Sequence, residues 1–141
     1  MGNRTLAIIK PDAMRARHLG KIIDRILLGG FEIRAARLVQ MSKPVADDFY
    51  AEHRGKPFFE ELTRFMSSSP CMPMVLEKED AVAAFRTLLG ATDPAEAQPG
   101  TLRKEFARDK GENALHGSDS NENAEKEVAF FFAAEDIVHN L

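Results

Sequence analysis

His116 is followed by Gly117 and the polar run SDSNENAEKE, so this imidazole has little apolar bulk near it in sequence. Whatever orders the ring must be polar. Residues 121–132 carry Ala124, Val128, Phe131 and Phe132 at helical spacing, which predicts a helix with these side chains turned inward. Glu127 lies three residues after Ala124 and four before Phe131, on the same face, while Glu122, Glu125 and Lys126 read as a solvated face. An inward carboxylate needs a hydrogen-bonding partner, and His116 and Ser118 stand just before the helix. A carboxylate that holds one ring nitrogen fixes the tautomer and leaves the other nitrogen free to act. From the residues alone, His116 is either such a functional histidine or a satisfied structural one.

Other site chemistries lack their patterns. His18, His53, His116 and His139 are scattered without metal-ligand spacing. Gly117-Ser118 has no glycine two residues later, so there is no nucleophile elbow. Gly55-Lys56 is followed by Pro57 and has Tyr50 where a P-loop needs its first glycine. Lys10, Arg86, Thr92 and Arg103 fall at element ends or in a long loop, positions that suit contacts to an anionic ligand. Taken singly, each is more often an ordinary surface residue.

The elements that position these residues follow from periodicity and punctuation. A chain of 141 residues, 44% apolar and 29% charged, is expected to form one globular domain over 1–141. Residues 5–9 form a buried strand stopped by Lys10-Pro11, and 20–28 a helix capped by Gly29-Gly30. Residues 31–41 form a second strand with a bulge near Ala35-Ala36. A helix from Ser42 to His53 and another over 58–66 make an inserted helical hairpin. Residues 71–76 form a third strand, in which Pro73 predicts that one side is an edge or bulge. Asp80 caps a helix over 81–89, a short fourth strand lies around 114–116, and the helix over 121–132 follows. The order β-α-β-αα-β-α-β-α predicts an α/β sandwich: a ferredoxin-like, four-stranded antiparallel sheet with surrounding helices and a long loop, 91–115, before the last strand.

The net charge of −3 gives no reason to expect a nucleic-acid surface. The N-terminal MGNRTLAIIKPD lacks a signal-peptide core, and no run reaches membrane-span length, so no membrane partner is expected. The single cysteine, Cys71, heads an apolar run and reads as core filling. A chain with one cysteine fits a reducing, cytoplasmic compartment.

Several blocks occur together: HGSDS with Asn113 three residues before the histidine, KPD after the first strand, FYAEH with PFF soon after, and LLGATDPAEAQPGTLR. In order and spacing, from Thr5 to Phe132, they resemble the nucleoside diphosphate kinase family. HGS alone is unspecific; the ordered set is highly specific. The resemblance implies that His116 takes the γ-phosphoryl group of a nucleoside triphosphate as a phosphohistidine and passes it to a nucleoside diphosphate in ping-pong fashion. Matched position by position, Lys10 contacts the transferring phosphate and sugar, and Tyr50 borders the histidine. Arg86, Thr92 and Arg103 hold the diphosphate, Asn113 bonds the ribose and Phe58 stacks on the base. Ser118 and Glu127 support the histidine. Mg²⁺ enters with the phosphates rather than through protein ligands.

Three further expectations attach to the resemblance. Gly117 holds a tight backbone beside the histidine. Stacking on Phe58 makes the site tolerant of base identity. The chain builds a homo-oligomer from symmetric dimers, with Leu28, which falls off the main helical stripe, at a subunit contact. Lys110 departs from the family pattern, standing where an apolar residue lies across the base from Phe58; its stem can still pack there. Glu105, Asn121 and Leu27-Leu28 depart as well. Two other classes remain at this point. A phosphohistidine carrier accounts for His116 but not for Phe58, Asn113 or the loop arginine. A catalytically silent scaffold would be expected to lose His116, Lys10 or Arg103, and all are present.

Overall fold

The computed structural model describes residues 2–139. In chain order its elements are β1 (Arg4–Ile9), α1 (Pro11–Arg15), α2 (Leu19–Leu28), β2 (Glu32–Ala36), α3 (Lys43–Phe49), α4 (Phe59–Met66), β3 (Met72–Glu77), α5 (Ala81–Leu89), α6 (Leu102–Phe106), β4 (Leu115–Gly117) and α7 (Asn121–Phe131). The strands form one antiparallel sheet in the order β2-β3-β1-β4. This is the ferredoxin-like arrangement expected from the sequence.

The apolar run of β1 is unbroken because both faces of the sheet are covered. Ala7 and Ile9 join Ile22, Ile26, Phe85 and Leu89 of α2 and α5 in one core layer. Leu6 and Ile8, turned the other way by the period of two, pack with Ala46, Phe59, Met66 and Phe131 of the helical hairpin and α7. At the end of α2, Gly29 N–H donates to the Arg25 carbonyl at 3.0 Å and Gly30 follows at a φ of 88°. Ser42 accepts from Val45 N–H at 3.3 Å to start α3.

Several expectations need correcting. β2 ends at Ala36, and its register shift falls between Ile33 and Ala35, leaving Arg34 as the bulged residue. Beyond it the chain keeps the bond from Arg37 N–H to the Pro73 carbonyl and the bridge Val39 to Cys71. β3 is an inner strand, edge-like only at Pro73 on its β2 side. Pro73 is tolerated because its carbonyl accepts from Arg37, past the last β2 ladder pair, so the missing N–H falls where that ladder has ended. Asp80 does precede α5 but makes no side-chain cap. Its φ of 53° lies in the left-handed region, where the side chain cannot reach back as it does from extended backbone. Two short helices, α1 and α6, lie where no element is expected, α6 within the long loop. Thr101 caps α6 by accepting from Lys104 N–H at 3.3 Å.

The connection into β4 is tight. Leu115 N–H donates to the Asn113 carbonyl at 2.8 Å, two residues back, and Ala114 between them has a φ of 72°. This is a γ-turn in the left-handed region, a conformation that costs an alanine on the order of 1–3 kcal/mol. Among the described residues, no helix is long and apolar enough to cross a membrane.

Candidate active site

β4 is three residues long and sends its side chains to opposite faces. Leu115 enters the layer of α2 and α5, and His116 turns toward α7. Ser120 accepts from Asn123 N–H at 3.1 Å and starts α7 directly after the strand. Two turns later the helix returns Glu127 over the imidazole. His116 Nε2 and Glu127 Oε1 are 2.7 Å apart, and Ser118 Oγ donates to the same oxygen at 2.8 Å. An ionised carboxylate only accepts, so Nε2 carries the ring proton and Nδ1 keeps its lone pair. Among the described residues, Nδ1 makes no hydrogen bond. Phe49 meets the ring edge-on at a centroid distance of 5.5 Å, and Tyr50 lies at 6.3 Å.

Around this ring the structure gathers positive charge. Arg103 is buried and donates through Nη2 to the Leu115 carbonyl at 2.9 Å and through Nη1 to the Gly90 carbonyl at 3.2 Å. Arg86, exposed on α5, reaches the Gly117 carbonyl at 3.4 Å. The two guanidiniums thus grip the carbonyls on either side of His116. Burial, then the nearby Arg86, pushes Arg103 down to about 10. Lys10 is buried too. Its Nζ donates to Asn113 Oδ1 at 2.8 Å, and Asn113 Nδ2 donates to the Thr92 carbonyl at 3.2 Å. Burial, then Arg103, lowers the Lys10 ammonium to about 8, against a smaller raising effect of Asp12. Cations crowded at a cost to their own charge are what a polyanionic ligand relieves.

Tyr50 adds a neutral donor. Its hydroxyl is buried without a hydrogen-bond partner, and burial, then Glu127, raises its ionisation far above the usual phenol range. Such an orphaned hydroxyl is costly unless a ligand atom meets it. Phe58 lies farther out, 47% exposed, and connects to the histidine through a row of rings. His53 lies 6.4 Å from Tyr50, nearly parallel to it, and 5.4 Å from Phe58. Lys110 is exposed in a turn that Asp109 ties by accepting from Gly111 and Glu112 N–H groups at 2.9 and 2.8 Å.

The residues singled out from the sequence therefore fall into three contacting groups: His116 with Ser118, Glu127 and Tyr50; Lys10 with Asn113 and Thr92; and Arg86 with Arg103. Phe58 stands at the end of the ring row. Gly117 is needed for a different reason from the one expected. Its φ is not positive; instead a Cβ there would come within 2.8 Å of Leu89 Cδ1 and 2.9 Å of Phe85 Cδ2. Sequence reasoning missed Phe49, which reads as ordinary core, and Asp12, whose carboxylate accepts from Ala114 N–H at 3.0 Å. The KPD block held the signal for Asp12, an acid directly after a proline at the end of a strand. Among the described residues, no three His, Cys, Asp or Glu side chains gather into a metal cage.

Comparison with known proteins agrees with this arrangement. The family model for nucleoside diphosphate kinase matches residues 3–137. A nucleoside diphosphate kinase of Chlorobium limicola is 56% identical over 96% of this chain and 96% of its own. The solved nucleoside diphosphate kinase of Aquifex aeolicus superposes with a TM-score of 0.95 at 47% identity, covering 96% of this chain and 99% of its own. A halophilic enzyme from Halobacterium salinarum, solved in complex with CDP, gives a TM-score of 0.93 at 36% identity over 99% of this chain and 93% of its own. On the family match, the sequence identity and the shared fold, the chain belongs to the nucleoside diphosphate kinase family and is a phosphotransferase of that activity.

Proposed function

We propose that His116 Nδ1 is the nucleophile of the transfer, and that the phosphoryl group rests there between two half-reactions. The observation that carries this reading is the bond from Nε2 to Glu127, which leaves Nδ1 as the ring's free lone pair between carbonyls held by Arg86 and Arg103. In the first half-reaction Nδ1 forms a bond to the γ-phosphorus as the bond from that phosphorus to the bridging oxygen breaks. The nucleoside diphosphate leaves with the electron pair. The ring keeps its Nε2 proton and becomes cationic, and the Glu127 carboxylate offsets that charge. The second half-reaction is the reverse, with a different diphosphate as acceptor.

Charge spreads over the phosphoryl oxygens during transfer, so the protein's share is positioning and neutralisation. Lys10 and the Tyr50 hydroxyl meet the transferring group, Arg86, Thr92 and Arg103 the diphosphate, Asn113 the ribose and Phe58 the base. The CDP complex of the halophilic relative supports a nucleotide as the ligand. Magnesium fits this site as an ion carried by the nucleotide. The carboxylate nearest His116, Glu127, is engaged by the ring and by Ser118, and Lys10, Arg86 and Arg103 supply the charge that would face the phosphates. When bound, the ion neutralises charge on the β- and γ-phosphates.

A homo-oligomer is part of the same proposal. Leu28 is 77% exposed at the end of α2, off the inward stripe of Ile22 and Ile26, and is the residue proposed for the subunit contact. A carrier that receives phosphate from a protein donor is not favoured, because it leaves the orphaned Tyr50 hydroxyl and the Asn113 bridge without use. Incubation with ATP labelled in its γ-phosphate, followed by chase with several diphosphates, tests the reading. The wild type should form an acid-labile phosphoenzyme that every diphosphate discharges, and His116→Ala should lose both steps with its fold intact. A correctly folded His116→Ala protein with undiminished exchange would overturn it.

A further inference from the structure

The KPD segment grips the strained turn before β4 from two sides. Lys10 N–H donates to the Ala114 carbonyl at 2.8 Å, and Ala114 N–H donates to Asp12 Oδ2 at 3.0 Å. Both polar groups of the one left-handed residue in that turn are therefore satisfied by residues two apart in sequence. The turn in turn fixes what flanks it. Asn113 before it presents Oδ1 to Lys10 Nζ at 2.8 Å, and Leu115 after it begins the strand that carries His116. A shift of the turn would move Lys10's partner and the nucleophile together.

The second oxygen of the same carboxylate is unexplained by this. Asp12 Oδ1 is buried and has no hydrogen-bond partner. A buried carboxylate oxygen persists where positive charge compensates it. The buried cation two residues before it is Lys10, which shares the grip on Ala114 and, without a direct ion pair to Asp12, feels its charge as the supporting one.

We propose that Asp12 is a positioning residue for phosphoryl transfer: one carboxylate oxygen holds the turn at Ala114, and the other sets a negative charge against the Lys10 ammonium. The inference rests on the reading of Lys10 as a phosphate contact. The charged and titratable groups facing Lys10 are Arg103 from α6, which opposes its charge, and Asp12 from α1, which supports it. The strand that leaves the turn brings His116. With Lys10 already lowered to about 8, loss of the Asp12 charge acts where the ammonium is near its titration.

The test compares Asp12→Asn with the wild type by the pH dependence of kcat and KM, and by the titration of the Lys10 ε-carbon in NMR. The amide oxygen of asparagine can still accept from Ala114 N–H, so the variant removes charge and keeps the turn. Asp12→Ser, whose hydroxyl also accepts, repeats the test if the amide variant misfolds. The expected result is an alkaline limb of kcat displaced to lower pH by on the order of one unit, hence about a tenfold loss above it, with the Lys10 titration displaced alike. A uniform loss at every pH, or an unmoved Lys10 titration, would reduce Asp12 to a structural residue and overturn the inference. Lys10→Ala separates the two readings. If it cripples transfer while Asp12→Asn moves no limb, only the role of Asp12 fails; if it leaves transfer intact, the reading of Lys10 fails first.

Discussion

Glu127 can be found from the sequence because helical phase is local. Its place between Ala124 and Phe131 turns it inward, and the nearest polar side chains before the helix are His116 and Ser118. Which nitrogen it takes is not local, since only the 2.7 Å contact to Nε2 shows Nδ1 to be the ring nitrogen left unbonded. Asp12 is harder still: its partner Ala114 is 102 residues away, and no periodicity reports such a pair. The Glu127 contact makes a definite prediction. Glu127→Gln keeps the shape and an accepting oxygen but removes the charge that balances the ring once Nδ1 is phosphorylated. A charge-assisted bond exceeds a neutral one by about 1–1.5 kcal/mol, so the phosphoenzyme fraction at equilibrium with a tri- and diphosphate pair should fall on the order of tenfold. Nucleotide affinity should barely change, because Glu127 faces the histidine and not the phosphate clamp. Quantifying acid-labile phosphate against a titration of diphosphate checks it. An unchanged phosphoenzyme fraction would mean that the carboxylate orients the ring without stabilising its charge.

At the scale of elements, the longer helices and the strands, β4 included, are legible in the sequence, whereas the two shortest helices are not. α2 and α4 show more than two turns of periodicity, whereas α1 and α6 are five residues each, too short for any repeat to appear. They exist because tertiary contacts hold them. Arg25 of α2 bonds both Glu105 in α6 and the Gly100 carbonyl before it, and Asp12 of α1 bonds the turn at Ala114. β4 survives at three residues for the same reason, pinned by its pairing with β1 and by the two arginines on its carbonyls. Its closeness to α5 gives the next prediction. Gly117→Ala places a methyl against Phe85 and Leu89 at distances that real Cβ contacts do not show. Both neighbours are fully buried, so the strand must move rather than the side chains. Destabilisation of about 1–3 kcal/mol is expected from overpacking, seen as a lower urea midpoint, together with a lower kcat because His116 moves with the strand. Adding Phe85→Leu to the Gly117→Ala protein should recover part of both losses. Recovery of neither would show that the nearer contact, with Leu89, sets the cost.

For the whole molecule, the sheet order depends on which strand is buried on both faces. The uninterrupted LAII of β1 announces that, and β1 does lie inside, between β3 and β4. β3 lies inside as well, and the edge that Pro73 predicts for one side of it is found toward β2, where the ladder ends at Met74. β2 is the long open edge, and the chain itself covers part of it: Val138 N–H donates to the carbonyl of the bulged Arg34 at 2.9 Å. Elsewhere on the surface several large apolar side chains are exposed. Leu27 and Leu28 at the end of α2 are 51% and 77% exposed, and Leu38 and Val138 are 62% and 46% exposed. Leu28 has no core to enter, since the inward stripe of α2 is Ile22 and Ile26. Burying one leucine contributes about 1.5–3 kcal/mol, which shifts a subunit equilibrium by on the order of tenfold to a hundredfold. Leu28→Lys should therefore lower the weight-average mass in sedimentation equilibrium toward that of one chain, with the circular dichroism of the fold unchanged. The lysine adds a charge that desolvation at an interface would oppose, so its effect should exceed that of Leu28→Ala. Should the wild type sediment as a single chain across the concentration range, Leu28 is merely exposed and the oligomer is no part of this protein's architecture.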